Sequence, residues 1–232
     1  MDEKSLKTSR WQRLGILIIA ILLLGGTVFA YLFIFMGSSS SDTSNDELIA
    51  DLTEQYDAKA AELEAAAAPL SDQYFDDFSD YLSEVKAYNA ASAEAEVLGV
   101  KDLKTGTGKT LEEGDTDYFA YYIGWCADGS IFDSSFDDAE NPTALNVPLD
   151  ASVGLIEGWN QGVIGMKLGG VRQLTISGDL AYGDTQEICG GYNSPLKFII
   201  FAIEKDEDIA ALNSELDDLY LQLYYAYYGR QL

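Results

Sequence analysis

The 232-residue chain has no histidine, two cysteines, three methionines and four prolines. Without histidine it lacks the commonest protein metal ligand and cannot form a Ser–His or Cys–His nucleophile pair, so most hydrolase and zinc-enzyme chemistries lose their basis. Positive charge is scarce as well. There are 14 Lys+Arg against 39 Asp+Glu, a formal net charge of −25, and Lys4, Lys7, Arg10 and Arg13 sit together near the start. The acidic remainder repels phosphate backbones and argues against a nucleic-acid partner. It is equally repelled by anionic lipid headgroups. Cys126 and Cys189 lack metal-site spacing. They either pair as a disulfide, if the surrounding domain lies in an oxidising compartment, or stand as two thiols, and the sequence leaves both readings open.

What is present begins with an uncharged apolar run, Leu14 to Met36. At about 1.5 Å per residue a helix of that length crosses a hydrocarbon layer of about 30 Å. Basic residues precede it and a Ser-rich, then acidic, stretch follows. The charge bias predicts a single-pass anchor in the cytoplasmic membrane, with the N-terminus inside and the rest extracytoplasmic. The competing reading is a signal peptide cleaved after Val28-Phe29-Ala30. The run continues past that point to Met36, which favours an uncleaved anchor.

The chain therefore divides into a basic tail (1–13), an anchor (14–36), a polar linker (37–45), a helical stalk (46–96), a central domain (97–205) and a final amphipathic helix (206–232). In the stalk, Ile49, Leu52, Tyr56, Ala60, Leu63 and Ala67 recur at three- and four-residue steps, one apolar helical stripe. Ser44 or Asn45 is placed to cap it, and Pro69 is expected to interrupt it. A second helix from about Ser71 would carry Tyr74, Phe75, Phe78, Tyr81, Leu82, Val85 and Tyr88, too many aromatics to leave in water. Ile209, Leu212, Leu216, Leu219, Leu223 and Tyr227 repeat the same spacing near the end. These helices either pack together within the chain or pair with a second copy in a homodimer; periodicity does not separate the two.

Between the helices the texture changes to short runs rich in Tyr, Phe, Ile and Thr, separated by Gly and Asp turns, as in an antiparallel sheet. Tyr118–Ile123, Arg172–Ile176 and Leu196–Ile203 are the clearest strands. Leu155–Val163 suggests one helix too short to stand unless a sheet wraps it. The implied class is α+β, a twisted antiparallel sheet folded round one short helix.

Several motifs fall in order along this domain. Tyr122-Ile123-Gly124 is followed by Asp128-Gly129 and Phe132-Asp133-Ser134-Ser135. Next come Leu155-Ile156-Glu157-Gly158-Trp159, Gly162, Met166, Gly169 and Leu174-Thr175-Ile176, then Ala181-Tyr182-Gly183 and Asn193 to Phe198. In this order and spacing they resemble the FKBP family of peptidyl-prolyl cis-trans isomerases over about residues 97–205. The resemblance implies an apolar pocket that accepts a proline ring and needs no cofactor or metal. Trp159 would form its floor, with Tyr122, Phe132, Leu145, Leu155, Ile156 and Phe198 as walls and Asp133 and Tyr182 as polar groups at the rim. Its substrates would be proline-containing polypeptides, here exported or surface chains. The stretch Gly183 to Tyr192 departs from the pattern, because Gly190-Gly191-Tyr192 stands where family members often carry an aliphatic residue and proline. Ile188 or Cys189 is left to supply the apolar contact. Two other functions fit the same residues: a chaperone that holds clients in the pocket and helical arms without turnover, and a structural envelope protein that uses its helices for assembly.

Overall fold

The computed structural model describes residues 43–228. The basic tail, the apolar run Leu14–Met36 and most of the linker lie outside the described residues. Among the described residues no helix is long and apolar enough to cross a membrane.

Helix α1 (Thr43–Ser79) opens the described chain. A 3-10 turn (Asp80–Glu84) and an extended stretch follow, then helix α2 (Ala90–Glu96), whose first turn is capped where the Ser92 N–H donates to the Asn89 side chain at 2.8 Å. Strands β1 (Leu98–Lys104), β2 (Phe119–Trp125), β3 (Ile131–Ser134) and β4 (Leu149–Asp150) precede helix α3 (Glu157–Gly162). Strands β5 (Val171–Ile176) and β6 (Leu196–Ile203) and helix α4 (Glu207–Tyr228) complete the order. The sheet runs β1–β5–β6–β2–β3 with every neighbouring pair antiparallel, and β4 pairs with β2. The α+β architecture anticipated from the sequence is present.

Alternation sorts the strands between two cores. Tyr118, Ala120 and Tyr122 before and along β2, with Leu196, Phe198, Ile200 and Ala202 of β6, join a cluster that contains Trp159 of α3. Phe119, Tyr121, Ile123 and Trp125, with Ile199, Phe201 and Ile203, join a second cluster that contains Leu63, Ala67 and Phe78 of α1 and Ile209 of α4. Strand β2 is therefore buried on both faces along its whole length, which explains its near-continuous apolar sequence. Phe78 is fully buried and stacks on Phe136 with ring centroids 5.4 Å apart. Burying a ring of that size contributes roughly 1.5–3 kcal/mol.

Two expectations for the stalk need correction. Pro69 does not interrupt the first helix; it lies inside α1. An interior proline costs about 3 kcal/mol, but Leu63, Ala67, Leu70, Tyr74, Phe75 and Phe78, on both sides of it, pack on one cluster and hold the helix continuous. The segment from Tyr81 to Tyr88 does not extend that helix either. It turns and becomes extended, so that the Tyr88 N–H donates to the Ala127 carbonyl at 2.8 Å and its hydroxyl to the Pro195 carbonyl at 2.8 Å.

The chain forms two compact units, Asp57–Asp218 and a smaller one whose described parts are residues 43–56 and 219–228. In the larger unit, Lys59 binds both Glu62 and Glu215 at 2.8 Å, and Leu212 and Leu216 pack against the cluster of Leu63 and Ala67. The two long helices thus find partners within the chain. In the smaller unit the Asn45 side-chain amide donates to the Ala226 carbonyl at 3.1 Å.

Two substitutions probe this framework. Among the described residues the buried Tyr121 hydroxyl has no hydrogen-bond partner, so Tyr121→Phe should raise thermal stability by up to about 1 kcal/mol; a lower melting temperature would contradict this. Buried Arg172 binds Asp102 at 2.6 Å and donates to the Gly162 and Ile164 carbonyls at 2.9 and 3.0 Å. Arg172→Met should cost about 1–3 kcal/mol, because it strands those carbonyls, whereas the half-exposed Asp102 carboxylate regains solvent. A denaturant midpoint unchanged from the parent would show that the network contributes little.

Candidate active site

The site is built where α3 lies on the sheet. Gly158 and Gly162 face β5 so closely that a methyl group on Gly158 would overlap Ile176, and one on Gly162 would stand 2.6 Å from Leu174. Arg172 ties the end of the same helix down through Gly162 and Ile164. Trp159 is thereby pressed into the first core with only 3% of its surface exposed. Its indole N–H donates to the Tyr118 hydroxyl at 3.1 Å, so the ring is held at its polar corner as well as by packing.

Around the indole stand three further rings. Tyr122 meets it edge-on with centroids 5.6 Å apart, and Phe198 does so at 5.5 Å. Phe132 in turn meets Phe198 edge-on at 5.6 Å. The four rings come from β2, β3, α3 and β6, and edge-to-face contacts of this kind add about 0.5–1.5 kcal/mol each beyond area burial. Gly124 makes the arrangement possible, since a methyl group there would stand 2.7 Å from Phe132 and 2.9 Å from Phe198. Leu155, Ile156 and Tyr182 are partly buried against the same cluster, as are Ile188 and Cys189. The Ile156 carbonyl accepts from the N–H groups of Trp159 and Asn160 at the start of α3.

Polar groups are arranged at one side of these rings. The Tyr122 hydroxyl donates to the Asp133 carboxylate at 2.6 Å. Its backbone is braced by the next residues of the same motif, because the Tyr122 N–H donates to the Ser135 hydroxyl and the Ser135 N–H to the Tyr122 carbonyl, both at 2.9 Å. Burial pushes the Asp133 carboxyl above its ordinary value, against the pull of hydrogen bonds from Tyr122 and the Ser134 N–H. Burial, and then the nearby Asp133 charge, pushes the Tyr182 hydroxyl up to about 12. The same two causes drive Tyr122 further upward. Both tyrosines are therefore neutral hydroxyls at physiological pH, suited to donating hydrogen bonds rather than accepting or releasing protons.

Tyr122, Phe132, Asp133, Leu155, Ile156, Trp159, Tyr182 and Phe198 are brought together. Leu145 is not. It packs in the opposite cluster beside Phe136, and its N–H donates to the Ser71 hydroxyl of α1 at 2.8 Å. The wall position assigned to it is corrected: the bridge to Phe136 turns its side chain to the helix-covered face of the sheet. Sequence reasoning missed Tyr118 and Arg172. Tyr118 shares the alternation of Ala120 and Tyr122, and an arginine inside an apolar strand is itself a sign of a buried, paired cation. The cysteines, left open above, form a disulfide, with Cα atoms 5.5 Å apart.

Asp133 yields a prediction whose sign can be worked out. A carboxyl with a folded pKa above its unfolded value holds its proton more tightly when native, so stability falls as pH rises through that interval and stays lower above it. Asp133→Asn should therefore be more stable than the parent at about pH 7 and match it at about pH 3, below both values. Thermal melts at the two pH values check this; an equal difference at both would refute the assignment of the shift to Asp133.

With this geometry established, comparison with known proteins is informative. The family model for FKBP-type peptidyl-prolyl cis-trans isomerases matches residues 108–204. The chain is 36% identical over 110 residues to an FK506-binding protein of Neisseria meningitidis serogroup B, a match covering 46% of this chain and 92% of that protein. It is 30% identical over 187 residues to the peptidyl-prolyl cis-trans isomerase Mip of Chlamydia muridarum, covering 72% of this chain and 73% of that protein. The Mip isomerase of Chlamydia trachomatis serovar D is 33% identical over 182 residues, covering 68% of this chain and 70% of that protein.

Proposed function

The chain belongs to the FKBP-type peptidyl-prolyl cis-trans isomerase family, and from that premise we infer that its four-ring aromatic group accelerates rotation about X–Pro bonds in exported or surface polypeptides. Rotation of an amide meets a barrier of about 18–20 kcal/mol, because resonance stiffens the C–N bond. The two X–Pro isomers differ by only about 0.5–1 kcal/mol, yet uncatalysed exchange takes tens to hundreds of seconds. Such a reaction calls for no nucleophile, metal or nucleotide. It calls for a site that binds the twisted amide better than either planar form.

An apolar aromatic surface meets that demand. A planar amide is strongly polar and resists transfer from water, whereas a twisted one has lost conjugation and much of its charge separation. In this reading the proline ring rests on the Trp159 indole between Tyr122, Phe132 and Phe198, with Leu155 and Ile156 alongside. The Tyr182 hydroxyl and the Ile156 backbone N–H donate to substrate carbonyls. Asp133 holds the Tyr122 hydroxyl, so its part is to position a wall rather than to move a proton. The observation that carries the reading is the contiguous set Tyr122–Trp159–Phe198–Phe132, with ring centroids 5.5–5.6 Å apart.

The extracytoplasmic setting is also a proposal. It is supported by the basic tail followed by the apolar run Leu14–Met36, and by the disulfide, a bond that persists in oxidising compartments. The anchor would hold the isomerase at the membrane surface, where chains emerging from export meet it.

The test of the function is exchange spectroscopy or a protease-coupled assay on an X–Pro peptide. The parent should accelerate exchange, and a Trp159→Ala, Phe132→Ala double variant should lose at least about 100-fold in kcat/KM, or about 2.7 kcal/mol of transition-state stabilisation. Full activity in the folded double variant would refute the site assignment.

A further inference from the structure

The segment from Gly183 to Tyr192 is where the sequence departs from its family, and it is also where the structure places a covalent bond. Its base is closed conventionally: the Asn193 N–H donates to the Gly183 carbonyl at 2.7 Å. Its tip is a four-residue turn in which Ile188 and Gly191 exchange backbone hydrogen bonds at 3.0 and 3.1 Å. Asp184, Thr185, Glu187, Gly190, Tyr192 and Asn193 are exposed. The tip therefore makes little contact beyond itself, apart from the partly buried Ile188 and Cys189, which lie against the cluster of Trp159 and Phe198.

The other half of the disulfide is anchored differently. Cys126 directly follows β2 and is buried. Its N–H donates to the Ser130 carbonyl and its carbonyl accepts from the Gly129 N–H, both at 2.9 Å. That turn leads straight into β3, which carries Phe132 and Asp133. Cys189 has φ = 56°, the left-handed region that a non-glycine residue rarely adopts unless its surroundings impose it. The hydrogen-bonded turn that leads into β3 is thus bonded to a sparsely supported loop tip beside it, the two cysteine Cα atoms lying 5.5 Å apart.

We propose that the Cys126–Cys189 disulfide is a positioning element of the isomerase, which holds Ile188 over the aromatic group so that the mouth of the site takes its binding shape only in the oxidised chain. The bond restricts the loop before substrate arrives. A preorganised rim lowers the ordering cost of binding. Neither sulfur touches the reacting amide, so the bond acts on substrate capture and leaves the twisting step to the rings. The inference rests on the function proposed above.

The experiment compares the full chain in three forms: oxidised, treated with dithiothreitol, and as the Cys126→Ser, Cys189→Ser double variant. Reduction transfers two electrons and two protons from the dithiol, leaving two thiols and a cyclic disulfide. Kinetics on X–Pro peptides differing in the residue before proline should show KM raised about tenfold in both altered forms. Values of kcat should stay within about twofold, with weaker discrimination between peptides and recovery on reoxidation of the dithiol-treated protein. Amide NMR spectra serve as the control for folding. Shifts confined to the turn after Trp125 and to residues 183–193 keep the comparison valid even if one altered form is less stable. Unchanged KM and unchanged peptide preference in either folded form would overturn the proposal, as would a fall in kcat alone. An oxidised parent without isomerase activity would instead remove the functional reading on which it rests.

Discussion

Where α3 crosses β5, Gly158 and Gly162 present bare backbone to Ile176 and Leu174, at a spacing that leaves no room for a methyl group on either glycine. The aromatic site depends on that contact. A larger residue would lift the helix, and with it the indole of Trp159, away from the rings of Tyr122 and Phe198, because a close-packed interior yields little. The same seating explains why the helix can be only six residues long. So short a helix has almost no stability of its own, and it persists because the sheet and Arg172 hold it at both ends.

The consequence for chemistry is a site made almost wholly of packing. Its polar members, Tyr122, Asp133 and Tyr182, are partly desolvated, and the desolvation keeps both hydroxyls protonated. Isomerisation about an X–Pro bond asks for surface that prefers a twisted amide, and in the function proposed here the rings in edge-to-face contact would supply it without any group that must change charge. This also accounts for a chain with no histidine carrying out catalysis. The two-sided burial of β2 adds a further constraint, since helices α1 and α4 cover the face opposite the site and stiffen the strand from which Tyr122 projects.

The cover of that second face shows where local rules and global packing part company. Proline at position 69 reads locally as a break, yet the helix continues, because apolar residues before and after it are drawn to one surface. Leu145 reads by alignment as a pocket wall, yet its bridge to Phe136 turns it to the other side of the sheet. In both cases the deciding partner is distant in the chain: Phe136 and Phe201 for the helix, and Ser71 for the N–H of Leu145.

Order, spacing and residue type alone were enough to indicate the α+β class, the strands centred on Tyr122, Leu174 and Ile200, and the convergence of Tyr122, Phe132, Asp133, Trp159, Tyr182 and Phe198. These features are legible because period-two alternation and short motifs are local properties of the backbone. The pairing of Cys126 with Cys189, the continuity of α1 through Pro69, the place of Leu145 and the buried network of Arg172 were decided only by the tertiary structure. Each depends on whether groups 10 to 127 residues apart come into contact, and linear spacing carries no information about that distance until the sheet has set its register.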